Sequence, residues 1–192
     1  MSLKELIAEP FALLLEIERR AKDAIASRQG KDESVEEWIG VAFRLGAEKY
    51  VTARPDVREI LPAPEQVTRI PGAKPWLRGI ANVRGQLLTI VDLKAFLGAG
   101  PSHADRKARM LLLAGREVPT AVIVDEVLGF RRFATTDFSD QAPMTEIRCE
   151  HYLTGSWRLD GDSFPLFDMG RLLADPSFLN AGAPKAESRG AA

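Results

Sequence analysis

Trp76-Leu-Arg-Gly-Ile-Ala-Asn-Val-Arg-Gly-Gln-Leu-Leu-Thr-Ile-Val-Asp-Leu-Lys-Ala-Phe-Leu-Gly98 reads as strand, tight turn, strand, short helix. Ile80 and Val83 lie in a first extended run, and Leu87 to Val91 form a second, nearly continuous apolar one. Arg84-Gly85-Gln86 separates them, and Gly85 is free to take the positive φ that a hairpin turn uses. Asp92 ends the second strand, where its carboxylate can accept the free N–H groups of a helix start. Leu93, Phe96 and Leu97 follow at spacings of three and four, a one-sided apolar face. Gly98 is placed to stop that helix.

Shifted by 76 positions, the stretch returns. Gly79 matches Gly155, Gly85 matches Gly161, Asp92 matches Asp168 and Leu97 matches Leu173. Because turn glycines, capping aspartates and apolar slots all agree, the spacing predicts two copies of one small β unit.

The 192 residues suit one domain or two small ones, and the 45% hydrophobic share is enough for a core. A net charge of −1 argues against nucleic acid or an anionic membrane as the main partner. The single cysteine, Cys149, excludes an internal disulfide framework and suits a reducing compartment. The first residues carry acids where a signal peptide would be basic and then apolar, and no apolar run approaches a membrane span. The expectation is a cytoplasmic protein without membrane insertion.

In chain order, residues 1–37 read as an N-terminal helix, interrupted at Pro10, and a polar linker. Strands are expected over Trp38–Arg44, Lys49–Ala53 and Val57–Leu61, then the central stretch, closing a five-stranded unit over 38–98. Residues 99–107 read as a linker. A second unit over 108–179 opens with Met110–Leu113, Ala121–Val124 and Val127–Phe133. Ala134–Pro143 reads as irregular and Ile147–Tyr152 as a helical turn before the second hairpin. Residues 180–192 carry no large apolar side chain and read as a disordered tail.

Little in the chain suggests catalysis. His103 lies in a polar linker, and Cys149-Glu-His151 lacks the further ligands a zinc site needs. Cys149 and His151, two apart, would not face each other on a helix. No phosphate-cradling glycine motif and no G-x-S-x-G elbow occurs. Asp92 and Asp168 are better read as equivalent caps than as a catalytic pair. No cofactor, metal or catalytic set is expected, which points to a protein that acts through its surfaces. One other surface is tempting: Arg131-Arg132-Phe133 joins basic residues to an aromatic, as in barrels that bind single-stranded nucleic acid.

Several motifs in order carry a resemblance. They are Val57-Arg-Glu59-Ile60, Gln66-Val-Thr-Arg-Ile70, Gly79-Ile-Ala-Asn82-Val-Arg84-Gly85, Ile90-Val-Asp92-Leu93, Val124-Asp125-Glu-Val127 and Tyr152-Leu-Thr-Gly155. Over roughly Trp38 to Leu173 the chain resembles the CheW-like adaptor domain of bacterial chemosensory systems. Phe11-Ala-Leu-Leu-Leu-Glu-Ile, Glu36-Glu-Trp38 and Trp76-Leu-Arg-Gly79 look like the members that serve type IV pilus twitching motility, with flagellar chemotaxis as the alternative. One departure is Thr89, where the family often has proline and the second copy has Pro165. Thr89 keeps a backbone donor, so its strand can pair differently.

The resemblance implies a mainly β fold of two SH3-like five-stranded barrels. It implies a non-enzymatic adaptor that couples a methyl-accepting chemoreceptor to a CheA-type histidine kinase, recruited from the cytoplasm to receptor arrays. By motif position, Val57, Glu59, Ile60, Asn82, Arg84 and Leu87 would lie on or near a receptor groove between the barrels. Val57, Ile60 and Leu87 would supply an apolar floor and Arg84 a guanidinium fork. Strand alternation sets Glu59 on the opposite face from Arg58 and Ile60. Gly79, Gly85, Asp92, Gly155, Gly161 and Asp168 are the structural turns and caps. The kinase-binding residues and the oligomeric state are left open.

Overall fold

Alternating and continuous apolar runs become eleven strands in a computed structural model, which describes Glu18 and residues 37–102, 106–115 and 118–182. The expected N-terminal helix, His103 and the tail from residue 183 lie outside the described residues. The strands are β1 (Glu37–Leu45), β2 (Glu48–Ala53), β3 (Val57–Pro62), β4 (Leu77–Val83), β5 (Gln86–Asp92), β6 (Arg109–Leu113), β7 (Thr120–Val124), β8 (Glu126–Ala134), β9 (Phe138–Ser139), β10 (Leu153–Leu159) and β11 (Asp162–Phe167). Three short helices complete the described fold: α1 (Leu93–Phe96), α2 (Met169–Ala174) and α3 (Pro176–Leu179). The helical turn expected near Tyr152 is the 3-10 turn Glu150–Tyr152. The irregular stretch after Ala134 contains one short 3-10 turn and the two-residue strand β9.

The duplication holds down to single hydrogen bonds. Gly79 and Gly155 have φ of 135° and 154°. The turn pairs Arg84-Gly85 (53°, 83°) and Asp160-Gly161 (52°, 83°) both take the two successive positive φ values of a type I′ hairpin. The Asp92 N–H donates to Trp76 O and the Asp168 N–H to Tyr152 O, each at 2.8 Å. Asp92 Oδ1 accepts from Ala95 N at 3.1 Å, and Asp168 Oδ1 from Arg171 N at 3.0 Å. Every one of these pairs keeps the 76-residue offset.

The sheets do not follow the boundary expected at residues 99–107. One sheet runs β3-β6-β7-β5-β4 and the other β8-β1-β2-β11-β10-β9, so each draws on both halves of the chain. The first half's hairpin, β1–β2, pairs with β8 and β11 of the second. The second half's hairpin, β6–β7, pairs with β3 and β5 of the first. The two repeats have exchanged hairpins. At the second crossing the link explains why: β2 reaches β3 through Arg54–Asp56, but β7 reaches β8 through Asp125 alone. A tight hairpin return takes two residues or more, so β8 runs on from β7 into the other sheet. The Asp125 carboxylate pins this crossing, accepting from Gly46 N at 2.6 Å and from the buried Lys94 Nζ at 3.3 Å.

Three apolar clusters result. Leu61, Ala81, Leu88, Ile90 and Met110 fill the five-stranded sheet's barrel. Ala42, Val51, Phe133, Trp157 and Phe164 fill the other. The third takes Val91, Leu111 and Val122 from one sheet and Phe43, Tyr50 and Phe167 from the other. β6 and β7 are therefore buried on both faces, which accounts for their unbroken apolar runs. The start of the expected tail is tied down: Lys74 N donates to Ala181 O at 2.8 Å, just beyond Phe178, which stacks on Trp76 with centroids 5.8 Å apart. The ordered chain thus reaches at least Gly182, three residues past the expected limit, because the apolar Phe178 anchors it.

Candidate docking surface

The β4–β5 hairpin presents the site. Its type I′ turn leaves Arg84 projecting, with 73% of the side chain exposed, and Arg84 Nη1 donates to Glu59 Oε1 at 2.5 Å. Glu59 is on β3 and Arg84 beside β4, and these are the two ends of the five-stranded sheet. The ion pair therefore bridges the two edge strands. Because both partners are well exposed, it adds little stability, about 0–1 kcal/mol. It can exchange its partners for those of a docked chain at small cost.

The six residues implied by the resemblance separate into different environments. Leu87 is 65% exposed and stands beside this pair on the same hairpin. Val57 is 2% exposed and belongs to the shared core, so it is not part of an open apolar floor. Ile60 is half-buried against that core. Asn82 serves the turn, its Oδ1 accepting from Gly85 N at 2.9 Å. The alternation expected between Glu59 and Ile60 agrees with their partners on β6, Leu112 and Leu111, which belong to different apolar clusters. The β3–β6 register shifts between Val57 and Glu59, so Arg58 is the exposed extra residue, while Glu59 and Ile60 are each half-buried.

Two further residues join the surface. Ile80 pairs with Thr89 across the hairpin and is 36% exposed, and Val118 is 58% exposed. Thr89 and Thr120 are partners in the parallel β5–β7 ladder. Carried two residues back, that register sets Leu87 beside Val118. Only the Glu-Val-Pro context of Val118, an apolar residue isolated in a turn, hinted at this in the sequence. The retained donor at Thr89 is used: its N–H reaches Pro119 O at 2.9 Å and starts a four-position parallel ladder. At Pro165 the equivalent β11–β2 contact pairs only Leu166 with Val51.

Catalytic chemistry has no footing at the other candidate residues. Cys149 is 1% exposed, and burial pushes its thiol pKa up, above the range of a reactive thiolate. Its sulfur lies 3.6 Å from the Tyr50 hydroxyl, which donates to Glu48 Oε2 at 2.7 Å. His151 is exposed in the adjoining 3-10 turn. The described residues contain no group of three or more His, Cys, Asp or Glu suited to a metal. Phe133 is 1% exposed inside a barrel and Arg132 pairs with Glu37 at 3.4 Å. Arg131-Arg132-Phe133 therefore offers no stacking face for a nucleobase. Among the described residues, no helix is long and apolar enough to cross a membrane.

Residues 40–177 match the model of the CheW-like domain. The chain belongs to the CheW-like family. It is 37% identical over 149 residues to protein PilI of Pseudomonas aeruginosa, covering 78% of this chain and 83% of that one. It is 29% identical over 133 residues to chemotaxis protein CheW of Klebsiella aerogenes, covering 69% and 79% of the two chains. In fold it is similar to the scaffolding protein CheW of Thermoanaerobacter tengcongensis. That match has a TM-score of 0.59 at 23% identity, over 68% of this chain and 88% of the other. The two-barrel, mainly β architecture is thus that of a CheW-like domain, and the protein is a scaffold adaptor rather than an enzyme.

Proposed function

We propose that this CheW-like adaptor couples a methyl-accepting chemoreceptor to a CheA-type histidine kinase in the pathway that controls type IV pilus twitching motility. The observation that carries the reading is its 37% identity to PilI across 78% of the chain. The exposed hairpin supports a role in docking: Arg84 supplies a guanidinium fork, and Leu87, Ile80 and Val118 supply apolar contact beside it. A helical receptor tip carries both kinds of group, carboxylates or free carbonyls for the fork and apolar side chains for the rest. The adaptor works from the cytoplasm, recruited to receptor arrays.

The test is capture from a lysate of the source cell by purified full-length protein. Retention of a chemoreceptor and a histidine kinase is expected, and the identity of the receptor distinguishes pilus from flagellar control. Arg84→Ala is expected to weaken receptor retention about tenfold, the worth of one charge-assisted contact. Because the Arg84–Glu59 pair is exposed, the variant is expected to melt like the wild type. Unchanged retention by Arg84→Ala removes Arg84 from the docking surface.

A further inference from the structure

A second surface, separate from the β4–β5 turn, is a trough with a marked excess of positive charge. It consists of two adjoining cavities that share Arg69 and Arg78. The first, about 540 Å³, is also lined by Arg106, and the second, about 350 Å³, by Lys74. Among the described residues, Glu65 is the one acid in their lining. Four cations against one carboxylate is a local reversal in a chain whose net charge is −1.

These cations are largely uncommitted. Neither the Arg69 nor the Arg106 guanidinium has an ion-pair partner among the described residues. Lys74 Nζ lies 6.0 Å over the Trp76 ring. Arg78 Nη1 is 3.4 Å from Asp92 Oδ2, but that carboxylate is buried and already accepts from Ala95 N and Ser102 N. Arg78 thus keeps donors free on its exposed side. Because the two cavities meet side by side through Arg69 and Arg78, the cations are spread along a trough and do not converge on one point. Among the described residues, none that lines the trough belongs to a helix, so no helix N-terminus adds the cluster of N–H donors that a phosphate group uses.

We infer that this trough binds an acidic polypeptide segment of a partner, with successive Asp or Glu carboxylates taken by Arg106, Arg78, Arg69 and Lys74. Spaced carboxylates match spaced guanidinium forks, each able to take a carboxylate in two parallel hydrogen bonds. Such binding is steered by charge and falls with ionic strength. The inference stands apart from the proposed receptor-docking residues, since it uses none of those of the β4–β5 turn.

The probe is a fluorescein-labelled octaglutamate peptide, read by fluorescence anisotropy with the full-length protein at low salt. Binding is expected, with octalysine as the negative control. Arg69→Glu/Arg106→Glu is expected to weaken it more than about tenfold, since two attractive contacts become repulsive. Arg131→Glu, an exposed charge reversal in the other sheet, is expected to leave it intact. Arg69→Gln/Arg106→Gln keeps the test open should the double reversal disturb folding, which circular dichroism checks. Equal binding by wild type and both double variants, or no binding at all, overturns the inference. Displacement of the peptide by inorganic phosphate at a matching concentration of charge overturns it too, by making the trough a simple anion site.

Discussion

Gly79 and Gly85 look alike in the sequence, but they are held for different reasons. At Gly79, with φ of 135°, an added Cβ would lie 2.1 Å from Thr68 O, while at Gly85, φ 83°, nothing lies within 4 Å. Gly79→Ala is therefore expected to cost more than about 3 kcal/mol, combining backbone strain with a collision against main chain. Gly85→Ala should cost only about 1 kcal/mol, for the left-handed φ alone. Thermal melts of the two variants check the contrast. Asp175 supplies a pH signature. The Tyr152 hydroxyl and the Ser177 N–H donate to its carboxylate and hold its pKa below the ordinary value of 3.8. A lowered folded pKa means that this contribution is whole above the ordinary value and lost as pH falls through the folded one. Asp175→Asn is expected to flatten part of the acid limb of stability below pH 3.8, measured by urea unfolding across that window.

Among the elements, the two equivalent one-sided helices have unequal caps. Asp92 is 0% exposed, and its second oxygen accepts from Ser102 N at 2.9 Å as well as facing Arg78. Asp168 caps α2 from a half-exposed position, with Arg171 as its ion-pair partner. Asp92→Ala strips α1 of its cap and leaves the buried Ser102 N–H unpaired, a loss of about 2–4 kcal/mol. Asp168→Ala should lose only about 1 kcal/mol, the usual worth of a cap. Chemical denaturation of both variants should therefore separate residues that the repeat makes look identical.

For the molecule as a whole, exchanged hairpins mean that neither repeat closes a barrel with its own strands. Residues 1–102 lack β6 and β7, which sit between β3 and β5 in their sheet, and residues 106–192 lack β1 and β2. Each fragment alone would expose a sheet with an empty central slot and an uncovered apolar face. The expected outcome is that each is unfolded by circular dichroism and that an equimolar mixture recovers the β signal and elutes as one complex. Independent folding of either half would mean that a repeat can take back its own hairpin. The Lys94–Asp125–Gly46 tie at the crossing point holds the exchanged arrangement together.

Much of this was legible along the chain. Strand positions, both hairpin turns, both aspartate caps and the duplication rest on local rules of φ, capping and periodicity, and the structure agrees with them to within a residue or two. Arg84 could be named as projecting because turn geometry is local too, whereas Leu87 was named by motif position alone. The exchange of hairpins could not be read, because alternation shows which residues share a face but not which sheet that face joins. That choice depends on long-range pairing and, at Asp125, on a link too short to turn back. For the same reason Val57 passed as surface while lying in the shared core. Val118 gained its place beside Leu87 only when β7 came from the other half of the chain to lie parallel to β5.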